Sequence, residues 1–135
     1  MAEKVKFPVW EGTFIETPEG GILVGNKCKA CGQVFFPKAR ICFDCFNEDM
    51  EELLLSRRGK LYSYAIGRMA SLHFQPPYAL GYIDLPEGVR IFAPLKVEES
   101  EYEQLKIGMD MEVVIEKLWE EADKEIIGYK FKPAI

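Results

Sequence analysis

From Gly59 onward the chain reads as successive runs rich in Tyr, Ile, Val and Phe, punctuated by turn residues, the pattern of an antiparallel all-β unit. The runs predict strands over 60–68, 78–85, 89–97, 111–119 and 125–132. Leu85, Pro86, Glu87 and Gly88 read as a tight hairpin turn, because Pro presets one dihedral and Gly tolerates a positive φ. Gly67 interrupts the first long run and is expected to mark a bulge or sharp bend. Between the third and fourth strands, Ser100 is placed to cap a short helical turn running through Gln104 and Leu105, released at Ile107 and Gly108. Five strands with a helical turn between the third and fourth are the layout of an OB-fold barrel.

Upstream the pattern changes. A short apolar run between glycines over 20–26 predicts a strand leading into the first cysteine pair. The stretch 50–55 is too short and too bounded by charge to assign to helix or strand. Over 7–14, Phe7, Val9, Trp10 and Phe14 come near one another on a short helix or turn, either as a clasp onto the domain or as a partner-docking element. The expected fold is thus mostly β: an N-terminal helical or docking segment over 1–20, a rubredoxin-like zinc ribbon over 21–56, and a five-stranded OB-fold barrel over 57–135. No internal repeat or low-complexity tract is present.

The candidate chemistry lies in two CxxC knuckles, Cys28 with Cys31 and Cys42 with Cys45. Each knuckle puts two thiolates on one side of a tight turn, and together the four can close a tetrahedron. Zinc suits four soft thiolates, and a saturated shell leaves no position for a catalytic water, so the expected site is structural, with one zinc per chain. Gly32 follows the first knuckle, where a backbone turning around a metal needs positive φ. The loop between the knuckles is short and carries Val34, Phe35, Phe36 and Pro37. The rivals are disulfides, free thiols, or a rubredoxin-like iron centre; against iron, Phe46 stands after the second knuckle where glycine is usual.

Composition changes the picture mainly by exclusion. With 135 residues, 48% hydrophobic and 29% charged, a packed globular protein is the default. The opening residues hold no apolar run fit for a signal peptide or membrane span, so a cytoplasmic protein is expected, and there paired cysteines favour metal over disulfides. The net charge is −5, and all of it lies C-terminal: residues 1–95 hold 11 basic and 11 acidic side chains, residues 96–135 hold 6 and 11. That balance argues against nucleic-acid binding through phosphate neutralisation. The one histidine, His73, is read as a loop residue rather than a general base, and no nucleophile elbow, phosphate-cradling loop or dinucleotide fingerprint occurs. Lys38, Arg40, Arg57, Arg58, Lys60, Arg68 and Arg90 lie around the ribbon and the first three strands and interleave with Phe35, Phe36, Tyr62, Tyr64, Phe74 and Tyr78, which could serve an anionic, stackable ligand or the core of the barrel and ribbon.

Cys28-x-x-Cys31-Gly32, Phe36-Pro37, Arg40, Cys42-x-x-Cys45 and the run 59–64 follow one another in a familiar order. Pro77-Tyr78, Gly81, Leu85, Glu87-Gly88, Arg90, Ile107-Gly108, Val113-Val114 and the tail Tyr129-Lys130-Phe131-Lys132-Pro133 continue it. Across nearly its whole length the chain resembles the acyl-CoA-associated zinc-ribbon/OB-fold family; Phe43 departs from the proline common in its second knuckle. The resemblance implies a non-catalytic accessory subunit of thiolase-like enzymes, such as acetoacetyl-CoA thiolase in archaeal isoprenoid synthesis or benzoylsuccinyl-CoA thiolase in anaerobic toluene breakdown. It would dock on the enzyme and help bind or enclose acyl-CoA. On that reading Trp10 and Phe14 are the docking candidates, and Arg68, Phe74, Tyr78 and Arg90 face the ligand. The alternative is a single-stranded nucleic-acid-binding module, a frequent use of zinc ribbons and OB folds.

Overall fold

Alternation of buried and exposed side chains along five long strands lets them close on themselves around one apolar interior. The computed structural model describes residues 5–8 (backbone only), 12–18, 20–69, 74–121 and 123–134. The barrel strands are β6 (Arg58–Gly67), β7 (Tyr78–Asp84), β8 (Arg90–Leu95), β9 (Asp110–Glu121) and β10 (Lys124–Pro133). They pair in the closed order β6, β7, β8, β10, β9 and back to β6, which is the OB-fold circuit. Ala79 and Ile83 on β7, and Ile91, Ala93 and Leu95 on β8, point inward at every second position. There they meet Leu61, Met111, Val113 and the fully buried Phe131. The turn at 85–88 forms as expected: Gly88 sits at φ 90°, its N–H donates to the Leu85 carbonyl at 3.0 Å, and the Leu85 N–H donates to that of Val89 at 2.9 Å.

Three details differ from the sequence reading. The irregularity in β6 lies between Leu61 and Ser63, where Tyr62 is extruded from the pairing with β7. Gly67 instead ends the strand opposite Tyr78, whose ring occupies the space a Cβ would need, with ring carbons within 2.4 Å of it. Between β8 and β9 the helical turn is a 3-10 helix, Glu99–Gln104, and Ser100 does not cap it. Glu101 folds its carboxylate back onto the Glu98 N–H at 2.9 Å, the reaching-back half of a capping box.

Among the described residues the expected N-terminal helix is not found. β1 (Val5–Pro8) runs as a parallel strand beside β10, from Val5 opposite Lys124 to Pro8 opposite Ile127, and β2 (Phe14–Thr17) makes a hairpin with β3 (Gly20–Cys28). Backbone pairing explains the difference. β10 has a free edge over 124–127 that an extended segment satisfies, and Pro8, which lacks an N–H, is tolerated on such an edge. Trp10 and His73 lie outside the described residues, and Phe14 is half-buried on β2 against the core.

β3 continues past the hairpin and pairs with β5 (Met50–Leu54) and with the two-residue β4 (Val34–Phe35), so the stretch left open by sequence is a strand. This small sheet is seated on the barrel. Leu23 and Leu55 are buried in the same core as the barrel strands. At Gly21 a Cβ would lie 1.8 Å from Cγ1 of Ile115 on β9, so only glycine permits the close approach of β3. Glu87, in the β7–β8 turn, accepts from the Ser56 N–H at 3.1 Å and from its hydroxyl at 2.6 Å, fastening the link between the two parts.

Candidate metal centre and binding surfaces

The four cysteines converge because two similar turns face each other. Cys28 closes β3, and the Gly32 N–H donates to its carbonyl at 2.9 Å; in the second turn the Phe46 N–H donates to the Cys42 carbonyl at 2.8 Å. The Cys28 N–H donates to Gln33 and the Cys42 N–H to Asn47, at 2.9 and 3.0 Å, so the two knuckles repeat one hydrogen-bond plan. Gly32 and Phe46 occupy equivalent left-handed positions, at φ 82° and 61°. Asn26, a buried polar residue that sequence reasoning passed over, ties the intervening loop to β3. Its amide donates to the Ala39 carbonyl at 2.6 Å, and its Oδ1 accepts from the Ala39 N–H at 3.1 Å. The available signal was a lone amide at the end of an otherwise apolar run.

All four Sγ atoms lie within 4.8 Å of one another; Cys28 to Cys45 is 3.6 Å and Cys31 to Cys42 is 3.4 Å. A tetrahedral ion with bonds of about 2.3 Å needs edges of about 3.8 Å, which this cluster matches, whereas a disulfide requires about 2.05 Å. Cys28 and Cys42 are buried, while Cys31 and Cys45 face out. The electrostatics divide the same way. The Cys31 N–H pulls the Cys28 thiol down to about 7, and the Cys45 and Asp44 N–H groups lower that of Cys42 against its burial. For Cys31 the Gln33 N–H favours the thiolate, but the neighbouring thiols, Cys42 foremost, push it up to about 12. Cys45 is raised likewise, against the Asn47 N–H, chiefly by Cys28. Two thiols are readied to ionise and two are held back; a dication supplies the charge that lets all four bind as thiolates.

Of the four residues expected to face a ligand, three gather at one end of the barrel. The Phe74 ring lies 6.0 Å from that of Tyr78 and 6.2 Å edge-on from Trp119. The Tyr78 hydroxyl donates to the carbonyl of Met69, next to Arg68. Arg68 directly follows Gly67, which stands opposite Tyr78 where β6 pairs with β7, so the chain brings it to the same end. Phe74, Tyr78, Tyr102 and Pro94 line a pocket of about 130 Å³, and through Leu95, Val97 and Lys130 it shares walls with a groove of about 630 Å³. Three lysines in that groove, Lys96, Lys130 and Lys132, face four carboxylates, Glu98, Glu101, Glu112 and Glu116.

Arg90 does not join them. It lies at the far end of β7 and β8, about 20 Å along the strands. There its guanidinium forks onto Asp84 at 2.6 and 3.2 Å and covers the Tyr62 ring at 3.4 Å. Between the two ends, the exposed Tyr82 and Phe92 rings lie 5.0 Å apart, tilted to one another, on the outer face of the barrel.

Among the described residues no helix is long and apolar enough to cross a membrane. Against known families, residues 21–51 match the rubredoxin-like zinc ribbon domain of ChsH2, and residues 54–116 match its C-terminal OB-fold domain. The chain is 40% identical over 116 residues to a DUF35 domain-containing scaffold protein of Methanocaldococcus jannaschii, covering 82% of this chain and 81% of that one. It is 38% identical over 122 residues to the benzoylsuccinyl-CoA thiolase subunit BbsA of Thauera aromatica, covering 87% and 83%. A solved structure named as the Ltp2–ChsH2(DUF35) aldolase superposes with a TM-score of 0.65 at 26% identity, over 84% of this chain and 86% of that one.

Proposed function

Because this chain belongs to the ChsH2-type zinc-ribbon/OB-fold family, we propose that it is a non-catalytic subunit that docks on a thiolase-like enzyme and helps hold or enclose acyl-CoA. The observation that carries the reading is that relatives aligned over most of their length are named as a scaffold and as a thiolase subunit. The cysteine cluster accords with it. Four thiolates complete the coordination of a single zinc ion and leave no open position for substrate, so the metal holds the ribbon in shape and performs no reaction. The pocket beside Phe74 and Tyr78 is narrow and aromatic, suited to a thin pantetheine arm, with Lys130 in its wall for a phosphate. Arg90, ion-paired and distant, belongs to a separate surface.

The test is to recover the tagged chain from its native cells at low salt, identify what accompanies it by mass spectrometry, and measure metal in the same sample. We expect a thiolase-like enzyme and about one zinc per chain in a colourless protein; iron would colour it. Arg68→Ala is expected to weaken retention of coenzyme A by the assembly, and unchanged retention removes Arg68 from the site. A second reading draws on the exposed Tyr62, Tyr82 and Phe92, since the outer face of these OB-fold strands can stack single-stranded bases. Salt-dependent binding of single-stranded oligonucleotides, with no enzyme recovered, would favour it.

A further inference from the structure

The second zinc knuckle presents two large apolar side chains to solvent. Phe43 is 68% exposed and Phe46 71% exposed, on either side of the outward-facing Cys45. The matching position of the first knuckle is Gly32, which takes the left-handed conformation without penalty, whereas Phe46 holds it with a bulky, largely exposed side chain. Phe43 is held in place from one side, its ring edge-on to Phe35 at 5.4 Å.

The chain from the second knuckle onward is acidic, while Arg40 just before that knuckle and Lys29 in the facing one are the basic residues beside it. Over 43–52 there are five carboxylates, Asp44, Glu48, Asp49, Glu51 and Glu52, and no basic residue. Lys29 pairs with Asp49 and Lys38 with Glu52; among the described residues, Asp44, Glu48 and Glu51 have no ion pair. An apolar tip on a segment with net negative charge is disfavoured by a second copy of itself, by an anionic lipid surface and by nucleic acid. It complements an apolar pocket rimmed by Lys or Arg on another protein. We infer that the Phe43–Phe46 knuckle is a docking plug, and that its occupant is the enzyme subunit, received in such a pocket. The inference rests on the accessory-subunit reading above and adds to it the contact surface.

The experiment uses the full chain and the thiolase-like enzyme recovered with it, purified separately and titrated by biolayer interferometry at low and high salt. The double variant Phe43→Ser/Phe46→Gly is expected to bind ten- to a hundredfold more weakly, since buried aromatic anchors carry much of an interface. Its zinc content should stay at the wild-type level. Asp44→Lys/Glu48→Lys should weaken binding at least tenfold at low salt, with a smaller difference at high salt. If the wild-type chain recovers no enzyme, the accessory-subunit reading fails and this inference falls with it. If the enzyme is recovered and binds the Phe variant within twofold of wild type, the inference alone is overturned. Should the Phe variant lose its metal, the charge-reversal variant decides, and unchanged binding there overturns it.

Discussion

At the scale of single residues, the two knuckles form an internal control. They share a hydrogen-bond plan and each offers two cysteine sulfurs, yet differ at the left-handed position, Gly32 in one and Phe46 in the other. A β-carbon in that conformation costs roughly 1–2 kcal/mol, part of which a glycine gives back through its greater freedom in the unfolded chain. Gly32→Ala should therefore destabilise the protein by about 1 kcal/mol, while Phe46→Gly should leave it unchanged or raise stability by up to about 1 kcal/mol. Chemical denaturation of the zinc-loaded chain checks both. A large loss from Phe46→Gly would mean that this exposed ring supports the fold after all.

At the scale of elements, the thinnest seam of the barrel lies where β8 meets β10. Their parallel pairing is registered at Phe131 and Leu95, and the Lys96 N–H adds a bond to the Phe131 carbonyl at 2.7 Å. Glu116, on β9, stitches across it with contacts to Lys96 at 2.7 Å and to Lys130 at 3.2 Å. Partial burial works against its ionised form, but the two ammonium groups outweigh it, holding the carboxyl below its ordinary 4.5. A carboxylate with a depressed folded pKa contributes stability that is present above about 4.5 and is lost as pH falls through the lower folded value. Wild type should thus lose stability below pH 4.5 more steeply than Glu116→Gln, by at most about 1 kcal/mol because the pair is partly solvated. Denaturation midpoints from pH 3 to pH 7 measure this; parallel acid limbs would exclude Glu116 as a contributor.

At the scale of the whole molecule, the ribbon and barrel share one core, so the metal's influence should not stop at the knuckles. Leu23 and Leu55 come from the ribbon strands and are buried with Leu61, Met111 and Phe131 of the barrel. The loop between the knuckles touches the barrel too, where Phe36 meets Tyr129 edge-on at 5.4 Å. Yet over 29–49 the chain contributes only the two-residue β4 to any sheet. Chelation should therefore loosen this segment first, giving protease cuts within 29–49, and lower the melting temperature by several degrees while the barrel strands remain protected from hydrogen exchange. An unchanged melting temperature in the metal-free chain would show that the barrel alone sets stability. Replacing any one of the four cysteines by serine should reproduce the chelated state.

The sequence by itself determined the five barrel strands and the metal cluster, because both are written in local signals. Strand periodicity spans a few residues, and a CxxC knuckle brings its own two thiols to one side of a turn. The turn at 85–88 was legible for the same reason. What only the tertiary structure decided depends on partners distant in sequence. Residues 5–8 are a strand because β10, from the opposite end of the chain, offers them an edge, and 50–54 is a strand because β3 does. The irregularity of β6 falls at Tyr62 because that is where pairing with β7 must shift. The register of β7 against β8 likewise carries Arg90 away from Phe74 and Tyr78 to the far end of the barrel. It is also the folded surface, with Phe43 and Phe46 turned outward, that separates an aromatic side chain in the core from one in solvent.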